Sequence, residues 1–257
     1  ERPPGGRGMP ARINRRVLLD ACSYVVRTGC AWRLLPKSFP PWETVYRAFS
    51  RWAAKGTFEQ MHDRLRQQWR DRTGRTPTPS AAVVDARPTR SCPQGGQVGF
   101  DAGKKVKGRK RHVLVDTTGL MLALIITAAS VQDRDAASSV LAQAQAKVTT
   151  LRKLYVDSAY SGQCAQALHS QYSIDVEVVR NPKDGNARVF HQPETQAQPQ
   201  SLPSGFTPLP KRWVVERTHA WIERSRRLTM HHDRSLINAP AWVWLTQARI
   251  LTRRLAA

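Results

Sequence analysis

The chain has 257 residues, enough for one large or two modest domains with a buried core. Hydrophobic residues make up an ordinary 40%, but 41 Lys+Arg against 19 Asp+Glu leave a net charge of +22, which calls for a polyanionic partner, nucleic acid first. No apolar run approaches a spanning helix and no secretory signal is visible, and Cys22, Cys30, Cys92 and Cys164 are scattered, with neither zinc-site nor disulfide spacing.

Residues 1–10 are rich in Gly, Pro and Arg and read as disordered; without an initiator Met the chain is expected to be truncated or processed. Asn14 can cap a helix whose stripe is Val17, Leu18, Ala21, Tyr24 and Val25, ended by Gly29. After the Phe39-Pro-Pro-Trp-Glu43 break, Val45, Tyr46, Phe49, Trp52 and Ala53 predict a second helix closed by Gly56. Phe58, Met61, Leu65 and Trp69 predict a third. Three short helices with tight turns suit a helix-turn-helix DNA module, and also a plain helical packing unit with basic faces. Residues 1–78 hold 16 Lys/Arg and 6 Asp/Glu, and the linker-like Thr73–Ser80 places a domain boundary there, giving units 1–78 and 79–257.

Ala81–Asp85 reads as a short buried strand ending in an acid. A Gly-rich loop leads into a basic run with Lys104, Lys105, Lys107, Arg109, Lys110 and Arg111, then a strand at Val113–Val115, a turn at Thr117–Gly119 and a strand at Leu120–Thr127. A basic loop anchored on a hairpin can grip DNA phosphates. Asp133 or Asp135 starts a helix through Val148, and Leu151–Asp157 is again a strand ending in an acid. A helix near Gln163–Ser170, a strand at Asp175–Val179 and an exposed Pro/Gln/Ser-rich loop at Gln192–Ser204 follow. Asp101, Asp116, Asp133 and Asp135 read as turn and cap residues.

The stretch Lys211–Leu228 reads as one helix with Val214, Val215, Thr218, Trp221, Ile222, Ser225 and Leu228 on its apolar face. At about 100° per residue, Glu216 falls on a different stripe with Arg212, Ala220 and Glu223. Arg212, Arg217 and Arg224 can hold phosphates or simply flank Glu216. Trp213 and Trp221 are core residues or stacking platforms, and a last helix opens near Pro240.

The order of strand, hairpin, helix, strand, helix, strand, helix matches an α/β, ribonuclease-H-like core behind the helical module. Parallel neighbours would set Asp85 and Asp157 side by side, and Glu216 can approach from its helix. Three clustered carboxylates repel unless divalent metal neutralises them, and two such ions can drive in-line phosphodiester displacement.

Four blocks then carry a resemblance: residues 28–36 with 39–46 (TGCAWRLLP, FPPWETVY), 101–117 (DAGKKVKGRKRHVLVDT), 127–135 (TAASVQDRD) and 212–221 (RWVVERTHAW). The chain resembles DDE transposases of bacterial insertion sequences, in the insertion-sequence-five group of the insertion-sequence-four-like superfamily. The resemblance implies that Asp85, Asp157 and Glu216 are the metal-binding catalytic triad, loaded with two Mg2+ or Mn2+ ions. It also implies metal-dependent cleavage of transposon ends and strand transfer into target DNA. The expected partner is double-stranded DNA (terminal inverted repeats and target), bound by a homodimer on paired ends. The expected location is the bacterial cytoplasm at the nucleoid, with no membrane. Two motifs depart from the family pattern, Asp85-Ala-Arg for Asp-Ser-Gln and Asp157-Ser-Ala-Tyr for Asp-Gly-Gly-Tyr. They leave open a catalytically inactive, transposase-derived DNA-binding protein; an RNA-binding accessory protein would not need the three acids.

Overall fold

The computed structural model describes residues 13–93, 96–179 and 212–257. The first three helices form as the apolar spacing predicts. Helix α1 (Arg15–Thr28) starts where the Asn14 side chain accepts the Arg16 N–H at 2.8 Å and stops at Gly29, whose φ of 73° suits a residue without a Cβ. Helices α2 (Trp42–Ala54) and α3 (Thr57–Arg72) follow, with Gly56 turning the chain between them.

Six strands make one sheet: β1 (Ala81–Arg90), β2 (Gly99–Asp101), β3 (Val106–Asp116), β4 (Met121–Ala128), β5 (Lys153–Val156) and β6 (Asp175–Val178). Strand β3 pairs antiparallel with β1 on one side and with β2 and β4 on the other, while β1, β5 and β6 run parallel. The order β4-β3-β1-β5-β6, with β2 extending the β4 side, gives a mixed α/β sheet.

Side chains alternate across this sheet, and both faces are covered. Ala82, Val84, Leu114 and Leu122 face helices α4 (Asp133–Gln145) and α5 (Gln163–Tyr172) in one hydrophobic cluster. Val83, Val113, Val115 and Met121 face the other way, toward α6 (Arg212–Glu223) and α7 (Asn238–Ala256). Helices α1–α3 join that second cluster: Phe49 stacks on the buried Trp242 of α7 with ring centroids 3.9 Å apart. Arg70 of α3 donates to the fully buried Asp116 at the end of β3.

Two expectations change. The predicted helix over 211–228 ends at Glu223, and Arg226–Leu228 forms a separate 3-10 turn. Arg224, Arg226 and Arg227 would crowd three cations at the end of one helix. Instead Ser225 is extended, and Arg227 reaches Asp233 at 3.2 Å and lies over Trp242. Strand β3 starts at Val106, seven residues before the predicted Val113, so most of the basic run is central strand. The Gln192–Ser204 loop and the disordered N-terminal stretch lie outside the described residues.

Candidate active site

The site is built on the parallel pairing of β1 and β5, registered through Val83 opposite Tyr155. Two residues further along each strand come Asp85 and Asp157. With a period of two, both acids share the face of Val83, the one that α6 covers. Asp157 follows β5 and caps a 3-10 turn, accepting the Ala159 N–H at 2.9 Å.

Helix α6 is seated against the β3–β4 turn. Thr218 Oγ1 donates to the Gly119 carbonyl and Arg217 Nη2 to the Thr118 carbonyl, both at 2.7 Å. Gly119 is needed for this approach: its φ is +83°, and a Cβ there would stand 3.0 Å from both Arg217 Nη2 and Thr218 Oγ1. So seated, α6 turns His219 inward, with Nε2 3.3 Å from Asp85 Oδ2 in a contact that falls short of hydrogen-bond geometry. Glu216 stays on the solvent side. Arg212 spans the remaining gap, 3.7 Å from Asp157 and 3.9 Å from Glu216.

The electrostatics differ between the two strand acids. Burial works to raise the Asp85 pKa, but His219, Arg212 and Lys104 outweigh it and hold the carboxyl below the usual range. At Asp157 burial prevails, helped by the charges of Asp85 and Asp133, and the pKa is raised despite the Ala159 amide and Arg212. Tyr160, also buried, turns a hydroxyl without a partner among the described residues toward this negative region, and its pKa is raised by burial and then by Asp133, Asp85 and Asp157.

The donors are hard carboxylate oxygens, the chemistry that Mg2+ or Mn2+ prefers. Among the described residues, however, no three His, Cys, Asp or Glu side chains close into a ready ligand set. Positive charge beside Asp157 and Glu216 comes instead from the Arg212 guanidinium. The donor chemistry fits divalent metal, and one nitrogen of Arg212, Nη2, lies within 4 Å of two of the acids.

The basic run divides. Lys104, Lys105 and Lys107 are exposed, and Lys104 reaches toward the site through the Ala86 carbonyl at 3.1 Å and Asp133 at 3.9 Å. Arg109, Lys110 and Arg111 are buried, which corrects the expectation that they face DNA. Arg109 donates to the carbonyls of Gln97, Asp233 and Arg234. Lys110 pairs with Asp133 at 2.8 Å and Asp101 at 3.1 Å. Arg111 donates to the Leu228 carbonyl, its pKa lowered by burial to about 10. These three cations hold loops to the sheet. Arg217 is engaged by the Thr118 carbonyl and by the rings of Trp213 and Trp221, whereas Arg224 is exposed.

Asp116 lies in its turn as predicted, accepting from the Thr118 and Leu120 amides. Asp133 opens α4 as a first-turn acid and also lends its charge to the site. Sequence reasoning missed His219 and Tyr160. His219 stands seven residues after Arg212, close to its bearing on the helix, but that spacing names no partner for it before α6 is set over β1.

Comparison with known proteins supplies the family. A family model described as "Transposase DDE domain" matches residues 76–251. A second, described as "Putative transposase of IS4/5 family", matches residues 1–62. An uncharacterized protein, y4sN, of Sinorhizobium fredii is 35% identical over 60 residues, covering 23% of this chain and 48% of that protein. The chain thus spans about half the length of this curated relative.

Proposed function

The chain belongs to the IS4/5-type DDE transposase family, and on that premise we propose that it cuts transposon ends and joins them to target DNA with Asp85, Asp157 and Glu216 as the reacting centre. The observation that supports this reading is that Asp85 and Asp157 follow neighbouring parallel strands under α6, whose Arg212 lies within 4 Å of Asp157 and Glu216 and whose His219 lies 3.3 Å from Asp85. The sheet order, with an antiparallel hairpin beside three parallel strands, supports a ribonuclease-H-like core.

Asp85, Asp157 and Glu216 would hold the divalent ions, Mg2+ or Mn2+. When bound, such ions stabilise charge on the attacking and leaving oxygens of an in-line phosphodiester displacement. The protein's own residues do the rest. His219 fixes the Asp85 carboxylate on the buried side, leaving its other oxygen for the reaction space. Arg212 stands between Asp157 and Glu216, within 4 Å of each, and in the DNA complex it can turn to the scissile phosphate. Lys104, Lys105 and Lys107 at the rim hold backbone phosphates without reading sequence. Helices α1–α3, within the unit 1–78, bind terminal repeats in the helix-turn-helix manner. Two copies act on paired ends in the cytoplasm at the nucleoid.

The test is strand cleavage and strand transfer on a DNA end with Mg2+ or Mn2+. Glu216→Gln keeps size and removes charge, and both reactions should disappear together while duplex binding persists. Cleavage by that variant at the parent's rate would overturn the triad. The Asp85-Ala-Arg and Asp157-Ser-Ala departures favour one second reading, a DNA-binding relic. Parent protein that binds ends but cleaves none with either metal would select it.

A further inference from the structure

On the far side of α6 from His219, a cleft of about 360 Å3 opens between the ends of α1, α6 and α7. Its walls carry Arg27, Arg224, Arg249, Arg253 and Arg254, and Trp221 closes one end. The chain brings them together because α1 ends against the turn that follows α6. A Cβ on Gly29 would stand 3.1 Å from Arg226 Cβ, so glycine is what allows this closeness. Ser225 and Thr246 form the floor, their hydroxyls 3.3 Å apart.

No acidic side chain lines this cleft, and among the described residues none of the five arginines has an ion-pair partner. Elsewhere in the protein buried cations meet an acid, as Arg70 meets Asp116 and Lys110 meets Asp101 and Asp133, or main-chain carbonyls, as Arg109 and Arg111 do. Five like charges around one cleft repel one another unless an anion joins them. Arg249 feels this directly: burial lowers its pKa, and the charges of Arg253 and Arg27 lower it further.

A row of α6 side chains leads from the cleft toward Glu216. Trp213, Arg217, Trp221 and Arg224 share one edge of α6. Arg217 lies 4.5 Å from the Trp213 ring centroid and 4.7 Å from that of Trp221, and Arg254 lies over the same Trp221 ring at 4.5 Å. Glu216 stands beside this edge, and Arg224 is eight residues on, about 12 Å along the helix axis. That is roughly the axial rise of three to four base pairs at about 3.4 Å each.

We propose that the α1–α6–α7 cleft is a second anchor for the DNA backbone, binding phosphodiester groups about three to four base pairs from the one held at Glu216. The proposal rests on the transposase reading given above. Its ligand chemistry, a phosphate oxyanion on arginine forks, is shared by DNA and by free phosphate. DNA is the occupant because the cleft lies in line with the acid site along one helix edge.

The experiment compares the full-length parent with Arg253→Gln and Arg249→Gln/Arg253→Gln, using a duplex oligonucleotide of arbitrary sequence over a range of salt. Thermal unfolding of each variant, expected at or above the parent because repulsion is relieved, shows that the fold is kept. The log–log salt slope should become shallower by about 0.9 for each phosphate no longer neutralised. In a parallel arm, inorganic phosphate at millimolar concentration should neither displace the duplex nor protect the parent from unfolding. A parent that binds duplex while the double variant keeps its slope removes the cleft from the interface and leaves the transposase reading intact. Parent protein that binds no duplex at any salt overturns both. Phosphate protection that disappears in the double variant, with an unchanged DNA slope, makes the cleft a small-anion site and overturns the DNA assignment.

Discussion

Asp85 and Asp157 stand on neighbouring strands and face one reaction space, yet their removal should move stability in opposite directions. Asp85 is paired with the buried His219 at 3.3 Å. Asp85→Asn removes the carboxylate charge from beside that buried imidazole nitrogen, at a cost of about 1–3 kcal/mol. For a chain of this size that lowers Tm by roughly 2–4 °C per kcal/mol. Asp157 has a raised pKa, so its charge is held against the preference of its surroundings. Asp157→Asn keeps the Ala159 N–H bond and removes repulsion from Asp85 and Asp133, which should stabilise metal-free protein by up to about 1 kcal/mol.

The pH dependence follows the same signs. The depressed pKa of Asp85 contributes stability that is present above the ordinary Asp value and lost as pH falls through the folded value. The raised pKa of Asp157 does the reverse: its contribution is present below the ordinary Asp value and lost as pH rises through the folded value. The assay is thermal unfolding in chelator, repeated with Mg2+ or Mn2+. Metal should stabilise the parent by about 2.7 kcal/mol at a hundredfold excess over Kd, and both variants should lose most of that gain. Lower metal-free stability for Asp157→Asn would refute this assignment of strain.

Three further outcomes are expected. Asp116→Asn strands Arg70 as a buried charge and should cost about 3–5 kcal/mol, seen as a lower urea midpoint at unchanged slope. Trp242→Ala removes the partner of Phe49 and should cost about 3–5 kcal/mol, loosening α1–α3 and α7 together in hydrogen exchange. Neutralising Lys104, Lys105 and Lys107 should make the salt slope of duplex binding shallower by about one for each phosphate released, whereas a slope equal to the parent's would exclude that rim from DNA.

What could be read from the sequence was local. Asp85 and Asp157 were visible because each follows a short apolar strand, and Glu216 because it stands off its helix's apolar face. The fate of Arg109, Lys110 and Arg111 was not. A run of six cations resembles a solvated loop until β1 and β4 are known to flank β3 on both sides. The carbonyls that satisfy Arg109 come from Gln97, Asp233 and Arg234, and the last two lie more than a hundred residues away in sequence. His219 was hidden for a similar reason. A histidine in a basic helix has no evident partner until the helix is set over β1. The early end of α6 depended on Asp233 and Trp242, again beyond any local window.

The contact between the β3–β4 turn and α6 acts as an angular key. It joins residues 99 positions apart, Thr218 to Gly119 and Arg217 to Thr118. A helix advances by about 1.5 Å and turns by about 100° with each residue. If α6 slipped by one residue against that stop, Val215 or Arg217 would swing into the bearing now held by Glu216. Turn length is therefore transmitted to the reacting centre as rotation. An added residue between Thr117 and Gly119 could leave the hairpin's own ladder paired and still silence the chemistry, with every acid in the chain intact.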